Sequence, residues 1–215
     1  MLHKVVQLGG KSYFWLEKTN VVSMIQEYQV SGFRVREYEE LESTNTEAER
    51  VGWSELEDKM VILTYRQTQG RGQVGNHWES EPGKNISMTV VFKPRELLAG
   101  QQFAVSMVIA LGACDFISRY VSGCSVKWPN DIYVGDRKIS GILIEHSIMG
   151  RYVGGSLCGI GVNINQERFL SDAPNPVSLF QLIGKEIPVK RALEALLDCI
   201  GKRYETIRDY EGLER

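Results

Sequence analysis

The chain has 215 residues, enough for one domain of ordinary size or one domain plus a small appendage. It is 43% hydrophobic and 24% charged, the balance of a globular protein with a sizeable core. With 25 basic against 27 acidic side chains the formal net charge is −2, which excludes a broad nucleic-acid or membrane footprint and leaves room for a local basic cleft.

The opening MLHKVVQLGGKSYFW lacks the apolar segment and small-residue cleavage site of a secretory signal. Residues 1–33 are set apart as an N-terminal extension, with a short helix expected over Val21–Tyr28 before Ser31-Gly32. Phe33–Leu41 alternates as a strand. Thr44 and Glu47 then have capping-box spacing, which starts a helix that ends near Gly52. Met60–Tyr65 is a short β-rich run, 66–85 is polar and glycine-rich, and Ile86–Phe92 is a strand stopped by Pro94. Gln101–Tyr120 is the best helix, with Phe103, Met107, Ala110, Leu111, Cys114 and Ile117 as its apolar, core-facing stripe. The apolar run around Phe103–Cys114 is too short to span a bilayer. Ser125–Trp128 and Asp131–Val134 read as strands broken by Pro129-Asn130, and Gly135-Asp136 turns the chain into Ile139–Glu145. Tyr152–Ile164 is a further strand, SDAPNPV (171–177) a loop, and Val189–Ile207 an amphipathic helix. Strands linked by turns with few helices between predict an α+β domain with a mixed, largely antiparallel sheet over residues 34–215, not a doubly wound parallel sheet. Cys114, Cys124, Cys158 and Cys199 are scattered without a CxxC pair, as expected of reduced thiols in a cytoplasmic protein.

The segment TQGRGQVGNHW contains Gly70-x-Gly72-x-x-Gly75, the spacing of a dinucleotide-binding turn. The context removes that reading. NHWESEPGKN after Gly75 has no helical period and is broken by Pro82-Gly83, and no acid follows at ribose-binding distance in MTVVFK. Gly10-Lys11-Ser12 is likewise no phosphate loop, since Val5 stands where its first glycine belongs. The glycines instead suit a loop that wraps closely around an anion. Their backbone amides can approach it, Arg71 adds a forked cationic donor, and Trp78 can cover a flat ring.

Two further clusters carry chemistry. In VKWPNDI a lysine, Lys127, ends an apolar strand just before a Trp-Pro kink. In KISGILIE and GIGVNIN, glycines interrupt strand interiors and leave a groove where a ligand can lie against backbone. Together ESTN, QTQGRGQVGNHWES, VKWPNDI, KISGILIE and GIGVNIN run in order from about residue 35 to 165 and closely resemble biotin protein ligases. The resemblance implies the biotin/lipoate ligase catalytic fold, with biotinyl-AMP formed from biotin and ATP. Mg²⁺ would assist, and the biotinyl group would pass to a lysine of a biotin carboxyl carrier domain.

By the same resemblance, Ser43, Thr44, Asn45 and Gln67 bind the polar ureido end of biotin. Gly70, Arg71, Gly72 and Gln73 belong to a loop over biotin and the adenylate. Lys127 contacts the carboxylate and phosphate oxygens during activation, with Arg71 as the second catalytic cation. Gly141 and Gly161 form the pocket floor, while Gly75, Asn76, Trp78, Asn130 and Asn163 lie on the ATP side. No metal site made of protein ligands alone is implied.

The chain departs from the family pattern at Gln73, where many members carry a second arginine, and at Val74, often basic elsewhere. Residues 1–33 do not resemble the winged helix of repressor-type ligases, so operator DNA binding is not expected. The sequence reaches Glu214-Arg215 where many relatives continue into a small β-barrel. A homodimer through a sheet edge is compatible with the resemblance. The alternatives are a lipoate-type ligase, disfavoured by WPND and GILIE, and a non-catalytic biotin-binding module, disfavoured by Arg71 and Lys127. His3, His77 and His146 lack metal-ligand spacing and read as surface or satisfied histidines. Asp131 reads as a turn residue or as a group orienting Lys127, and Glu37, Glu39, Glu40 and Glu42 as a solvated face.

Overall fold

Met60–Thr64 (β5) and Ile86–Phe92 (β8) bury every side chain they carry, and they lie at the centre of an eight-stranded sheet. The computed structural model describes residues 4–8, 11–15, 23–73, 76–94, 96–171 and 173–208. β1 (Lys4–Leu8) and β2 (Lys11–Trp15) pair antiparallel as a separate ribbon. β3 (Met24–Val30) and β4 (Phe33–Tyr38) form a hairpin whose turn residues, Ser31 and Gly32, both sit at positive φ and so match the strand twist. The helix expected over Val21–Tyr28 is therefore strand from Met24 onward. A helix of this length is marginal alone, and pairing with β4 satisfies its backbone instead. The main sheet thus begins inside the segment set apart as 1–33.

α1 (Thr44–Val51) carries the chain over the sheet from β4 to β5, which run parallel as such a crossover requires. After β8 come α2 (Phe103–Ile117), β9 (Cys124–Lys127) and β10 (Asp131–Val134). The long hairpin β11 (Arg137–Met149) and β12 (Tyr152–Val162) follows, and then α3 (Leu179–Ile183) and α4 (Val189–Arg208). The sheet order is β3-β4-β5-β8-β12-β11-β10-β9, antiparallel at every pairing except β4–β5. The mixed, largely antiparallel sheet with flanking helices is the architecture expected from sequence.

One face of this sheet packs on α2 and α4 and holds the main core, including Leu63, Met88, Ile142 and Ile160. The helices approach closely at Gly112, where a Cβ would come within 2.8 Å of the Ile200 backbone. That close approach fixes how α2 is turned. Its buried residues are Ala104, Val105, Val108, Ile109, Ala110, Gly112, Ala113, Phe116 and Ile117; of the expected core stripe Ala110 and Ile117 are buried and Met107 packs against the core, whereas Phe103 and Leu111 are 49% and 40% exposed. A helix with mostly apolar residues all round gives no unique stripe, and the small residue facing α4 decides. Ala99–Ile117 is long and apolar enough to cross a bilayer by composition, but half of it is buried inside the protein.

A smaller core of Tyr38, Leu41, Ala48, Met60, Ile62, Val91 and Leu157 lies under α1 on the opposite face. Helix α1 starts as predicted but not through a capping box. Ser43 is the N-cap without a side-chain bond, the Thr44 N–H donates to Gln67 Oε1 at 3.0 Å, and Glu47 pairs with Arg50 at 2.7 Å. Glu37 departs from the solvated face expected for its cluster. It is 5% exposed and accepts hydrogen bonds from Gln26 Nε2 and the Tyr28 hydroxyl. All four cysteines are free thiols, and burial beside Cys114 pushes the Cys124 thiol up to about 12.

Candidate active site

The sheet register aligns six residues in one row across six strands: Thr64, Ser87, Gly161, Gly141, Asp131 and Lys127. Residues directly opposite each other share a face, so all six point away from the α2/α4 core. The row is hydroxylic at one end, bare backbone in the middle and charged at the other end. The neighbouring row, Thr89, Gly159 and Leu143, repeats the step from hydroxyl to bare backbone beside α1 but ends on an apolar side chain. With no side chains at the two central positions, the sheet has a groove, and a cleft of about 650 Å³ opens over it.

The cleft is lined at the α1 end by Ser43, Thr44, Asn45 and Gln67. These groups are held rigidly. Thr89 Oγ1 meets Thr44 Oγ1 at 2.9 Å and donates to Asn45 Oδ1 at 2.5 Å, and Asn45 Nδ2 donates to Glu145 Oε2 at 2.7 Å. A Cβ on Gly159 would collide with the Asn45 amide, so glycine there makes room for it.

The roof is a short ribbon in which β6 (Gly70–Arg71) pairs with β7 (His77–Trp78). Its tip is closed by the Gly72 N–H donating to Asn76 O at 3.0 Å and the Asn76 N–H to Gln73 O at 2.8 Å. Arg71, Gly72, Gln73, Asn76 and Trp78 all line the cleft, as expected. Gly70 does not. It is buried behind the ribbon, where a Cβ would strike the Trp78 carbonyl and come 2.7 Å from Gln67 Nε2. Gly75 lies outside the described residues. The Trp78 indole rests on the floor, where a Cβ at Gly141 would come 3.0 Å from its ring and one at Gly161 would overlap it. Arg71 is already engaged, at 3.1 Å from Glu49 and 2.6 Å from Glu145. Those two carboxylates, Glu49 first, raise its affinity for the proton.

At the charged end the structure departs from the sequence reading. Lys127 does line the cleft, but it is exposed, with its ammonium 4.7 Å above the Tyr133 ring and 3.4 Å from the Tyr133 hydroxyl. Asp131 is the first residue of β10 rather than a turn, and its carboxylate pairs with Lys138 at 2.8 Å, not with Lys127. Lys138 is the cation that sequence reasoning missed. Half-buried on β11, it lies beside the glycine floor, 6.0 Å from the centre of the Trp78 ring, and its Cε would be 3.4 Å from a Cβ at Gly141. The signal was present in KISG, where a lysine stands three residues before the floor glycine. Asn130 lines the cleft while donating to the Ile142 carbonyl.

The far wall consists of Phe169, Ser171, Ala173, Pro174 and Pro176, and the sequence reading assigned this loop no role. Asn163 ties its end to the sheet by donating to the Val177 carbonyl at 3.0 Å. Three buried polar atoms of cleft-lining residues have no partner among the described residues: Trp78 Nε1, Ser87 Oγ and Asn163 Oδ1. Buried donors and acceptors of this kind are costly unless satisfied, and three around one cleft mark a place built for a polar ligand. His146, by contrast, is satisfied away from the cleft lining by Ser156 Oγ at 2.8 Å, and burial lowers its pKa.

Residues 38–163 match the biotin/lipoate A/B protein ligase family. The chain belongs to that family. Its relatives include the bifunctional ligase/repressor BirA of Bacillus subtilis, 27% identical over 188 residues that cover 85% of this chain and 56% of BirA. The biotin–[acetyl-CoA-carboxylase] ligase of Paracoccus denitrificans is 33% identical over 125 residues, covering 57% of this chain and 51% of that enzyme. The chain therefore spans about half the length of these curated relatives. Among solved structures, the biotin protein ligase of Aquifex aeolicus in complex with biotin and ATP superposes with a TM-score of 0.68 at 26% identity, covering 81% of this chain and 72% of that one. The family match runs from the last residue of β4 to just past β12 and so contains the glycine floor, the ribbon and all three cleft cations.

Proposed function

We propose that this chain is the catalytic unit of a biotin protein ligase, which makes biotinyl-AMP from biotin and ATP and then biotinylates a lysine of a biotin carboxyl carrier domain. The observation that carries this reading is one cleft that runs from buried hydroxyl and amide groups, over a floor of strand glycines, to Lys138 and Lys127. An uncharged, multiply hydrogen-bonding head fits the Ser43–Asn45 and Gln67 end. A carboxylate at the other end of the same molecule then reaches Lys138 and Lys127. The relatives' names and the biotin- and ATP-bound Aquifex aeolicus structure support the same assignment.

In the first step a biotin carboxylate oxygen attacks the α-phosphorus of ATP, and the bond to the pyrophosphate oxygen breaks. Both reactants are anions, so cations that bring them together supply most of what catalysis requires. Lys138, Lys127 and Arg71 are those groups. Lys138 leaves Asp131, and Arg71 leaves Glu49 and Glu145, as substrate oxygens replace the carboxylates. Asn163 Oδ1 and Trp78 Nε1, buried and without a partner among the described residues, are left for the nucleotide, whose adenine offers both a donor and acceptors. In the second step the carrier lysine's neutral amine attacks the acyl carbon, AMP departs, and the amine's proton is released. The described residues contain no group of three His, Cys, Asp or Glu that would hold a metal. Mg²⁺ here would be carried by the phosphates of ATP, whose departing charge it screens.

Biotin-dependent exchange of labelled pyrophosphate into ATP tests the first step alone. Exchange with biotin and none with lipoate is the expected result, and exchange driven by lipoate would reassign the substrate.

A further inference from the structure

Glu79 immediately follows Trp78 at the end of the ribbon, yet its carboxylate turns to the opposite wall. Oε1 accepts from the Leu170 N–H at 2.9 Å and from Gln166 Nε2 at 2.9 Å, and Oε2 accepts from the Ser171 N–H at 2.7 Å and the Leu170 N–H at 3.1 Å. These donors hold the carboxyl below its ordinary range, although burial acts the other way. Gln166 anchors the arrangement from behind. It is 1% exposed, its Oε1 accepts from the Glu81 N–H and Asn85 Nδ2, and its Nε2 also donates to the Arg168 carbonyl. At its other end the wall segment is bonded to the backbone of Lys138, whose N–H donates to Asn175 O at 2.8 Å and whose carbonyl accepts from Val177 N–H at 2.9 Å.

We propose that Glu79 is a positioning residue that latches the 168–171 turn to the ribbon, so that ribbon and wall close over the nucleotide end of the cleft as one piece. The inference rests on the adenylating activity proposed above. Leu170 is 90% exposed and contributes no burial, and Phe169 is only half-buried, so the polar bonds to Glu79 carry much of what holds this stretch. A carboxylate bonded to consecutive N–H groups is the stronger, charge-assisted kind of bond. The latch does not touch the Ser43–Asn45 end. Its loss therefore discriminates between the two substrates.

The test compares wild type, Glu79→Gln and Glu79→Ala in five measurements on the full chain. In Glu79→Ala the KM for ATP and the dissociation rate of biotinyl-AMP should each rise about tenfold, the consequence of losing one or two charge-assisted bonds. The KM for biotin should stay within about twofold and the melting temperature within about 3 °C. Glu79→Gln, which keeps one acceptor oxygen, should fall between the two. Tryptic cleavage after Arg168, read without any substrate, should be about tenfold faster in Glu79→Ala. An unchanged ATP KM and adenylate lifetime, or an equal rise in both KM values, would overturn the proposal, as would unaltered cleavage at Arg168. If the wild type makes no biotinyl-AMP, the activity reading fails, while the cleavage rates still decide whether the latch exists.

Discussion

At the α1 end of the cleft Ser43, Thr44 and Asn45 are each at most 4% exposed, and each bond fixes the next. At the β9 end Lys127 stands in solvent over one aromatic ring, and Lys138 is held by Asp131, a carboxylate that a ligand can replace. The first end is preorganised for one uncharged shape. The second stores its positive charge in ion pairs until an anion arrives. Recognition and chemistry thus draw on different physics within a single cleft.

The contrast predicts where function and stability separate. The largest effect is expected for Lys138→Ala, which should slow biotinyl-AMP formation by about 10²–10³-fold, as when one preorganised charge stabiliser is removed. Its melting temperature should hardly move, because the half-exposed pair with Asp131 contributes little. A rapid-quench assay of adenylate formation reads the first quantity and calorimetry the second. Equal losses in both would erase the distinction between the two ends. Lys127→Ala is the next case. Exposed and loosely held, it should slow adenylation by about tenfold, within the range for a partly solvated charge contact. If Lys127→Ala proves worse than Lys138→Ala, the ranking drawn from burial is wrong.

Asn45→Ala tests the opposite end, where stability and affinity should fall together. Thr89 Oγ1 and Glu145 would lose a partner in a buried setting, at a cost of about 1–3 kcal/mol on unfolding, and biotin affinity should drop in parallel. A variant that loses affinity with an unchanged denaturation midpoint would show that this end is not the rigid one. The smallest effect is expected for Gln73→Arg. An extra cation on the exposed ribbon tip should slow biotinyl-AMP release by about two- to fivefold, and less so at high salt. An unchanged release rate would mean that the tip does not face the adenylate.

The same contrast explains what could be read from sequence. Strands β5 and β8, helix α1 and the sheet class were legible because period, turns and breaker residues agree over those stretches. ESTN, GRGQ and the strand glycines were assigned to one site through the collinear motifs that resemble biotin protein ligases, and Ser43, Thr44, Asn45, Arg71, Gly141 and Gly161 do line one cleft. What escaped depends on pairing between distant segments. Lys138 and Asp131 meet only through the β10–β11 register, and Glu79 reaches Leu170 only across the cleft. The stripe of α2 was misplaced at Phe103 and Leu111 because helix rotation is set by Gly112 against Ile200, a contact with α4 that no local period encodes. Glu37 was misread because the partners that bury it, Gln26 and Tyr28, come from a segment expected to be helical.

The central claim is that the cleft both activates biotin and hands it on. Mass spectrometry of a biotin carboxyl carrier domain incubated with this protein, ATP, Mg²⁺ and biotin tests it most directly. The account predicts one biotinyl group added to a single carrier lysine, dependent on ATP and lost in Lys138→Ala. An unmodified carrier in the presence of ATP-independent biotin binding would contradict it.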